Sequence, residues 1–179
     1  MAITPPSERI WWKEPVHKVE IIWVIIAFLW GVAMFFTMIW WHGFGQVNMS
    51  NEAYRVQPFQ VAEKVDAMVA THTVRQEGAF PVVKPPPGSD VYMMGRVYMW
   101  WPMLELEKGQ TYRLHLSSID LQHGFSLQPL NINIQVHPGY ESVMTITPTS
   151  SGEFGIVCNE YCGLGHHTMT GRIYVVERT

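Results

Sequence analysis

Cys158-Asn159-Glu160-Tyr161-Cys162-Gly163-Leu164-Gly165-His166-His167-Thr168-Met169 holds the only two cysteines of the chain. A histidine follows the second cysteine at four residues, and a methionine follows that histidine at three. Thiolate, imidazole and thioether are the donors that suit copper, and the softer sulfurs favour Cu(I). Zinc more often takes a Cys-x2-Cys pair and has little use for Met. A mononuclear blue-copper site needs one Cys, two His and a weak axial Met. Here there is one extra Cys, and two thiolates four residues apart on one loop can bridge two copper ions. Each copper then needs one imidazole and one weak axial donor. His166 and Met169 fill two of those four places; a second His must come from elsewhere, and a backbone carbonyl suits the last. The competing reading is a Cys158–Cys162 disulfide in an oxidising compartment. It leaves the neighbouring His and Met without a role.

The residues before this loop read as strands. From Asp90 onward, short runs at 91–100, 111–118, 131–137, 141–147, 153–158 and 171–177 are bounded by Gly, Pro, Asn or Ser. Residues 131–136, NINIQV, alternate with period two, so one face is expected to be buried. Such runs predict an all-β sandwich or Greek-key barrel. A ligand loop between the last two strands is, by analogy, the cupredoxin arrangement. The expected fold is therefore an all-β cupredoxin-like Greek-key sandwich.

Seven other histidines compete for the second imidazole place. His17 and His42 flank a long apolar stretch, and His72 lies well before the strands. His115, in the alternating TYRLHL, reads as a surface residue; His137 precedes a proline in a turn; His167 misses the His-x-x-Met spacing. His123 is best placed, in Ser118-Ile119-Asp120-Leu121-Gln122-His123-Gly124-Phe125, a loop after a strand. A ligand drawn from a distant strand end also ties the loop to the sandwich.

Net charge is −3, so nothing suggests nucleic-acid binding. Charged residues are 15% of the chain, below the ~25% of soluble proteins, which points to a membrane segment. Val19 to Trp41 supplies it, with Glu20 as its only charge. As a helix it would span ~34 Å, enough for a ~30 Å hydrocarbon core. Trp11, Trp12, Trp40 and Trp41 lie at its two ends like interfacial belts. Arg9, Lys13 and Lys18 precede it, and no Lys or Arg follows until Arg55, so the N-terminus is expected in the cytoplasm and the strands outside. The stretch is too long and too bulky at its end for a cleaved signal peptide. An ionisable residue in such a helix, here Glu20, is a functional candidate.

The chain thus divides into a cytoplasmic segment 1–18, a transmembrane helix 19–41, a connector 42–89 and a β-domain 90–179. Within the connector, 58–71 reads as an amphipathic helix begun by Pro58, lying on the membrane surface or a partner. Pro85-Pro86-Pro87-Gly88 reads as the domain boundary. Tyr98, Met99, Trp100, Trp101 and Pro102 read as an exposed aromatic stretch.

The loop resembles the CuA loop of subunit II of haem–copper oxidases, Cys-x-x-x-Cys-Gly-x-x-His-x-x-Met. The Asp-x-x-His-x-Phe context of His123 is similar to that family's upstream ligand. His17-Lys18, Glu20 and Trp23 resemble the start of B-type subunits, as does His72-Thr73-Val74-Arg75-Gln76-Glu77-Gly78. The resemblance implies that Cys158 and Cys162 bridge two coppers. His123 and Met169 would complete one, His166 and the Glu160 carbonyl the other. It further implies a Mg²⁺ site at the Glu160 carboxylate, a hard ligand that suits that ion, and electron uptake at Tyr98, Trp100 or Trp101. Glu20 would lie at the mouth of a proton-uptake channel. The implied partners are the catalytic haem–copper subunit I, which alone carries haems, and cytochrome c or a small copper protein as donor. Other readings are the CuA subunit of a nitric oxide reductase, the CuA domain of a nitrous oxide reductase, and a copper-delivery protein of thioredoxin-like fold.

Overall fold

A computed structural model describes residues 15–45, 51–130 and 132–178. Arg9, Trp11, Trp12 and Lys13 lie outside the described residues. The chain divides into two compact units, Met1–Asn48 and Met49–Thr179.

In the first unit, helix α1 runs over Lys18–Phe44, with mean hydropathy 2.4 across its most apolar window. It ends three residues beyond the expected Trp41. Its start is held by Glu20, whose carboxylate accepts the His17 backbone N–H at 3.2 Å. An acidic residue in the first turn also suits the positive end of the helix. The helix is apolar all round and its own unit buries none of it. Such a helix needs lipid or a protein partner around it.

The second unit is built from β1 (Asn51–Arg55), α2 (Pro58–His72), β2 (Thr73–Glu77), β3 (Phe80–Val83), β4 (Asp90–Arg96), β5 (Met99–Trp101), β6 (Met103–Glu107), β7 (Tyr112–Ser118), β8 (His123–Gln128), β9 (Ile132–Val136), β10 (Tyr140–Ile146), β11 (Gly152–Cys158) and β12 (Thr170–Val176). One sheet has the order β1-β10-β7-β4-β5 and the other β2-β3-β6-β12-β11-β8-β9. The pairs β4/β7, β3/β6 and β6/β12 are parallel and the rest antiparallel. Met93, Leu104, Leu114, Phe125, Ile156 and Ile173 are among the residues that form the shared core. This is the cupredoxin-like sandwich expected.

Four particulars differ from expectation. The run 91–100 is not one strand, because the chain reverses at Val97–Tyr98 and β5 folds back antiparallel on β4. The connector is not separate from the domain: β1 pairs with β10, and β3 pairs with β6 beyond it. The prolines at 85–87 therefore link two strands of the sandwich instead of two domains, and Gly88 N–H donates to the Thr111 carbonyl at 3.0 Å. Strands β6 and β8 also had no counterpart among the expected runs. Along β9 the alternation holds from Ile132, with Asn133 and Gln135 exposed; residue 131 lies outside the described residues.

Helix α2 forms where expected, with Pro58 in its first turn. Val61, Val65 and Met68, spaced by four and three residues, make one buried stripe. That stripe lies on this domain's own sheet, against Tyr92 and Met94 of β4, and not on lipid or a partner. The Tyr92 backbone N–H points at Met68 Sδ, 3.5 Å away.

Candidate metal centre

Cys158 is the last residue of β11, and Met169 immediately precedes β12. The two strands pair up to Val157↔Thr170, and Cys158 N–H donates to the Met169 carbonyl at 3.1 Å, so the hairpin clamps both ends of the loop. Inside it, His166 N–H donates to the Gly163 carbonyl and Met169 N–H to the His166 carbonyl, both at 3.1 Å. A short 3-10 turn over His166–Thr168 results. Strand β8 lies beside β11, with Phe125 opposite Cys158, and this brings His123 to the same end of the sandwich. Asn159 N–H donates to the Gly124 carbonyl at 3.3 Å. A Cβ at Gly124 would stand 2.8 Å from the Glu160 nitrogen, so a side chain there would push the loop away.

The donor atoms converge. Cys158 Sγ lies 3.8 Å from Cys162 Sγ, 4.0 Å from His123 Nδ1 and 3.2 Å from the Glu160 carbonyl oxygen. Cys162 Sγ lies 3.7 Å from both His166 Nδ1 and Met169 Sδ. Both cysteines are free, since a disulfide would need ~2.05 Å. The ligand atoms of His123, Cys158 and Cys162 all lie within 4.8 Å of one another, and all three residues are buried. Burial, then the neighbouring Cys158 thiol, pushes the Cys162 pKa up to about 11. Two thiols in a dry pocket, flanked by imidazoles and a thioether, are a soft N/S donor set that fits copper.

Asp120 was given no role by sequence, although its place three residues before His123 was visible. Its Oδ1 accepts from His123 Nε2 at 2.8 Å. Burial acts to raise its pKa, but hydrogen bonds from His123 and from the Val97 and Leu121 backbone outweigh that and leave it lowered.

The remaining candidates divide. Trp100 is not exposed at all: it is packed in the core, 5.3 Å from Phe125 and 6.0 Å from His123 between ring centroids. It cannot touch a donor protein, because its ring fills the space between the sheets. Trp101 is half-buried beneath the Arg96 guanidinium, 4.9 Å away. Tyr98 is half-buried against the ligand loop, where a Cβ at Gly165 would overlap its ring. The Glu160 carboxylate accepts from Gln135 Nε2 at 2.8 Å and faces no cluster of further carboxylates among the described residues. His115, expected at the surface, is buried, with Glu141 at its Nδ1. It shares the outer face of its sheet with Arg113, but that face is covered.

Fold and site together define a β-sandwich copper protein with an apolar N-terminal helix fit to anchor it in a membrane. No protein-family model matches the chain. It is 38% identical over 129 residues to cytochrome c oxidase subunit 2 of Thermus thermophilus, covering 68% of this chain and 93% of the relative. It is equally similar to the subunit 2 of another strain of that organism, covering 68% and 74%. A chain of a heme-copper terminal oxidase dimer shares the fold at 19% identity, with TM-score 0.57, over 89% of this chain and 100% of that one. The chain belongs to the cytochrome c oxidase subunit 2 family.

Proposed function

We propose that this chain is the electron-transfer subunit of a membrane-bound haem–copper oxidase and holds a binuclear CuA centre between β11 and β12. The observation that carries this reading is the meeting of six donor atoms from β8 and one loop around two unlinked thiols 3.8 Å apart. Cys158 and Cys162 would bridge the metals. His123 with Met169, and His166 with the Glu160 carbonyl, would complete them, an assignment that the family resemblance supplies. Two coppers sharing two thiolates spread one unpaired electron over both, so its gain or loss changes each bond little.

The chain's part is to hold the donors still and dry. Cys158, Cys162, Met169 and His123 are all nearly fully buried, and the paired strands fix both ends of the loop. Every donor place is taken by a protein atom, so substrate has no open position here. Reduction of O2 to water belongs to the catalytic haem–copper subunit. The β-sandwich argues against the thioredoxin-like copper-delivery alternative, and the family match favours an oxidase over the nitric oxide and nitrous oxide reductases.

The finer parts of the reading are these. The donor is cytochrome c or a small copper protein, received near Tyr98 and the exposed Tyr161 and Leu164 of the loop. The helix spans the cell membrane once, N-terminus in the cytoplasm and copper domain on the outer side. Glu20, besides capping α1, stands at the mouth of a proton path, and the Glu160 carboxylate takes Mg²⁺ at the interface with the catalytic subunit. The test is metal analysis of the purified full-length chain. Two coppers per chain with a purple mixed-valence spectrum are expected; one copper, or a Cys158–Cys162 disulfide that persists with copper and reductant, would overturn the reading. Glu160→Ala should lose Mg²⁺ and keep both coppers if the magnesium role is right.

A further inference from the structure

Asp120 touches both parts of the frame around the ligand loop. Its Oδ1 accepts from His123 Nε2 at 2.8 Å and from the Leu121 backbone N–H at 2.6 Å. Its Oδ2 accepts from the Val97 backbone N–H at 2.7 Å. Ser118 Oγ approaches Oδ1 at 3.3 Å and donates to the Leu121 carbonyl at 2.5 Å. Val97 precedes Tyr98, and the Tyr98 ring lies against Gly163 and Gly165, between Cys162 and His166. One half-buried carboxylate therefore joins the β7–β8 turn, which carries a ligand, to the β4–β5 turn, which covers the loop.

The chemistry follows from what a carboxylate does. Ionised, it only accepts, so the proton of the neutral imidazole is held on Nε2. The Nδ1 lone pair is then left bare, and it faces Cys158 Sγ. A carboxylate behind a metal-binding imidazole fixes its tautomer and ring plane and raises its basicity. We propose that Asp120 is a positioning residue of the copper centre: it sets the tautomer and ring orientation of His123 with one oxygen and pins the Val97–Tyr98 turn over the ligand loop with the other. Ligand geometry and the position of Tyr98 are thereby coupled through a single side chain.

This rests on the reading of His123 as a copper ligand, so the first readout uses no metal. In the nitrogen-15-labelled, metal-free full chain, the ring nitrogens of His123 report a bare Nδ1 and a protonated Nε2. Asp120→Ala gives a mixture of tautomers, and Asp120→Asn, which keeps an acceptor of the same shape, stays close to the parent. After copper loading, Asp120→Ala weakens copper binding about 10–100-fold and shifts the reduction potential and visible bands; Asp120→Asn recovers part of each. Ser118→Ala loosens the same turn without touching His123, and leaves tautomer, potential and bands unchanged. An unaltered tautomer and affinity in Asp120→Ala overturns the proposal, as does an equal shift in Ser118→Ala. Should the parent hold the stated tautomer yet bind no copper, the copper reading falls and the tautomer assignment stands.

Discussion

His115 and His123 lie on consecutive strands, both buried, and each has a carboxylate at one ring nitrogen. At His123 the carboxylate is Asp120, on Nε2, and the other nitrogen faces a thiol. At His115 Nδ1 meets Glu141, and Nε2 lies 3.3 Å from Asp90 Oδ1. Tyr92 stacks on the His115 ring at 4.6 Å, and Lys64 of α2 stands 3.6 Å from the other Glu141 oxygen. Glu141 also acts on Tyr54 of β1, whose pKa is raised first by burial and then by its bond to that carboxylate. The first arrangement leaves a lone pair free for a soft metal. The second uses the imidazole to satisfy buried charge under α2 and β1. Burial of a histidine is thus uninformative until the partner of each nitrogen is known.

The contrast can be broken at its strongest point first. Cys158→Ser removes a bridging thiolate, and we expect the purple bands to vanish and tight copper binding to be lost, while His115→Gln leaves two coppers bound; metal analysis and visible absorption of the two variants decide. At the other pole, Glu141→Ala leaves a buried imidazole and Lys64 without their partner. Breaking a buried pair costs about 3–5 kcal/mol, so the melting temperature of the copper-loaded chain falls steeply with its spectrum unchanged. Replacing both His115 and Glu141 by Leu restores stability to near the parent's, because the desolvation cost goes with the charges. Met68→Ala, which empties a buried place where α2 meets β4, costs about 2–5 kcal/mol without changing copper content; an unchanged melting temperature would mean that α2 does not belong to the folded unit. The smallest effect is on pH. Binding displaces the Cys162 proton, and this thiol's pKa stands at about 11. Copper affinity therefore falls as pH falls, up to about tenfold per unit per proton displaced; isothermal titration in buffers of different ionisation enthalpy between pH 6 and 8 counts that proton.

Which parts were legible follows the same logic. The ligand loop was readable because all its donors but one lie within twelve residues, and local spacing survives any tertiary arrangement. His123 was readable because its rivals were removed by position. Trp100 was misjudged because an aromatic run beside a proline looks alike whether it faces water or fills a core. The connector was misjudged for a related reason: β1 and β3 find partners far along the chain, and Pro85–Pro87 marks a turn between strands as well as a boundary between domains. The break at Val97–Tyr98 was hidden because the residues on either side are all good strand formers.

By itself the sequence determined the chemistry of the loop, the presence of a long apolar helix and the strand-rich character of the rest. These depend on residue type and short spacing, which the chain carries from the start. Only the tertiary structure decided that Asp120 stands behind His123, that Tyr98 lies over the loop glycines, that His115 is committed to Glu141, and that α2 covers its own sheet. Each of those depends on which strands lie side by side, and that is settled by burying apolar surface across the whole domain.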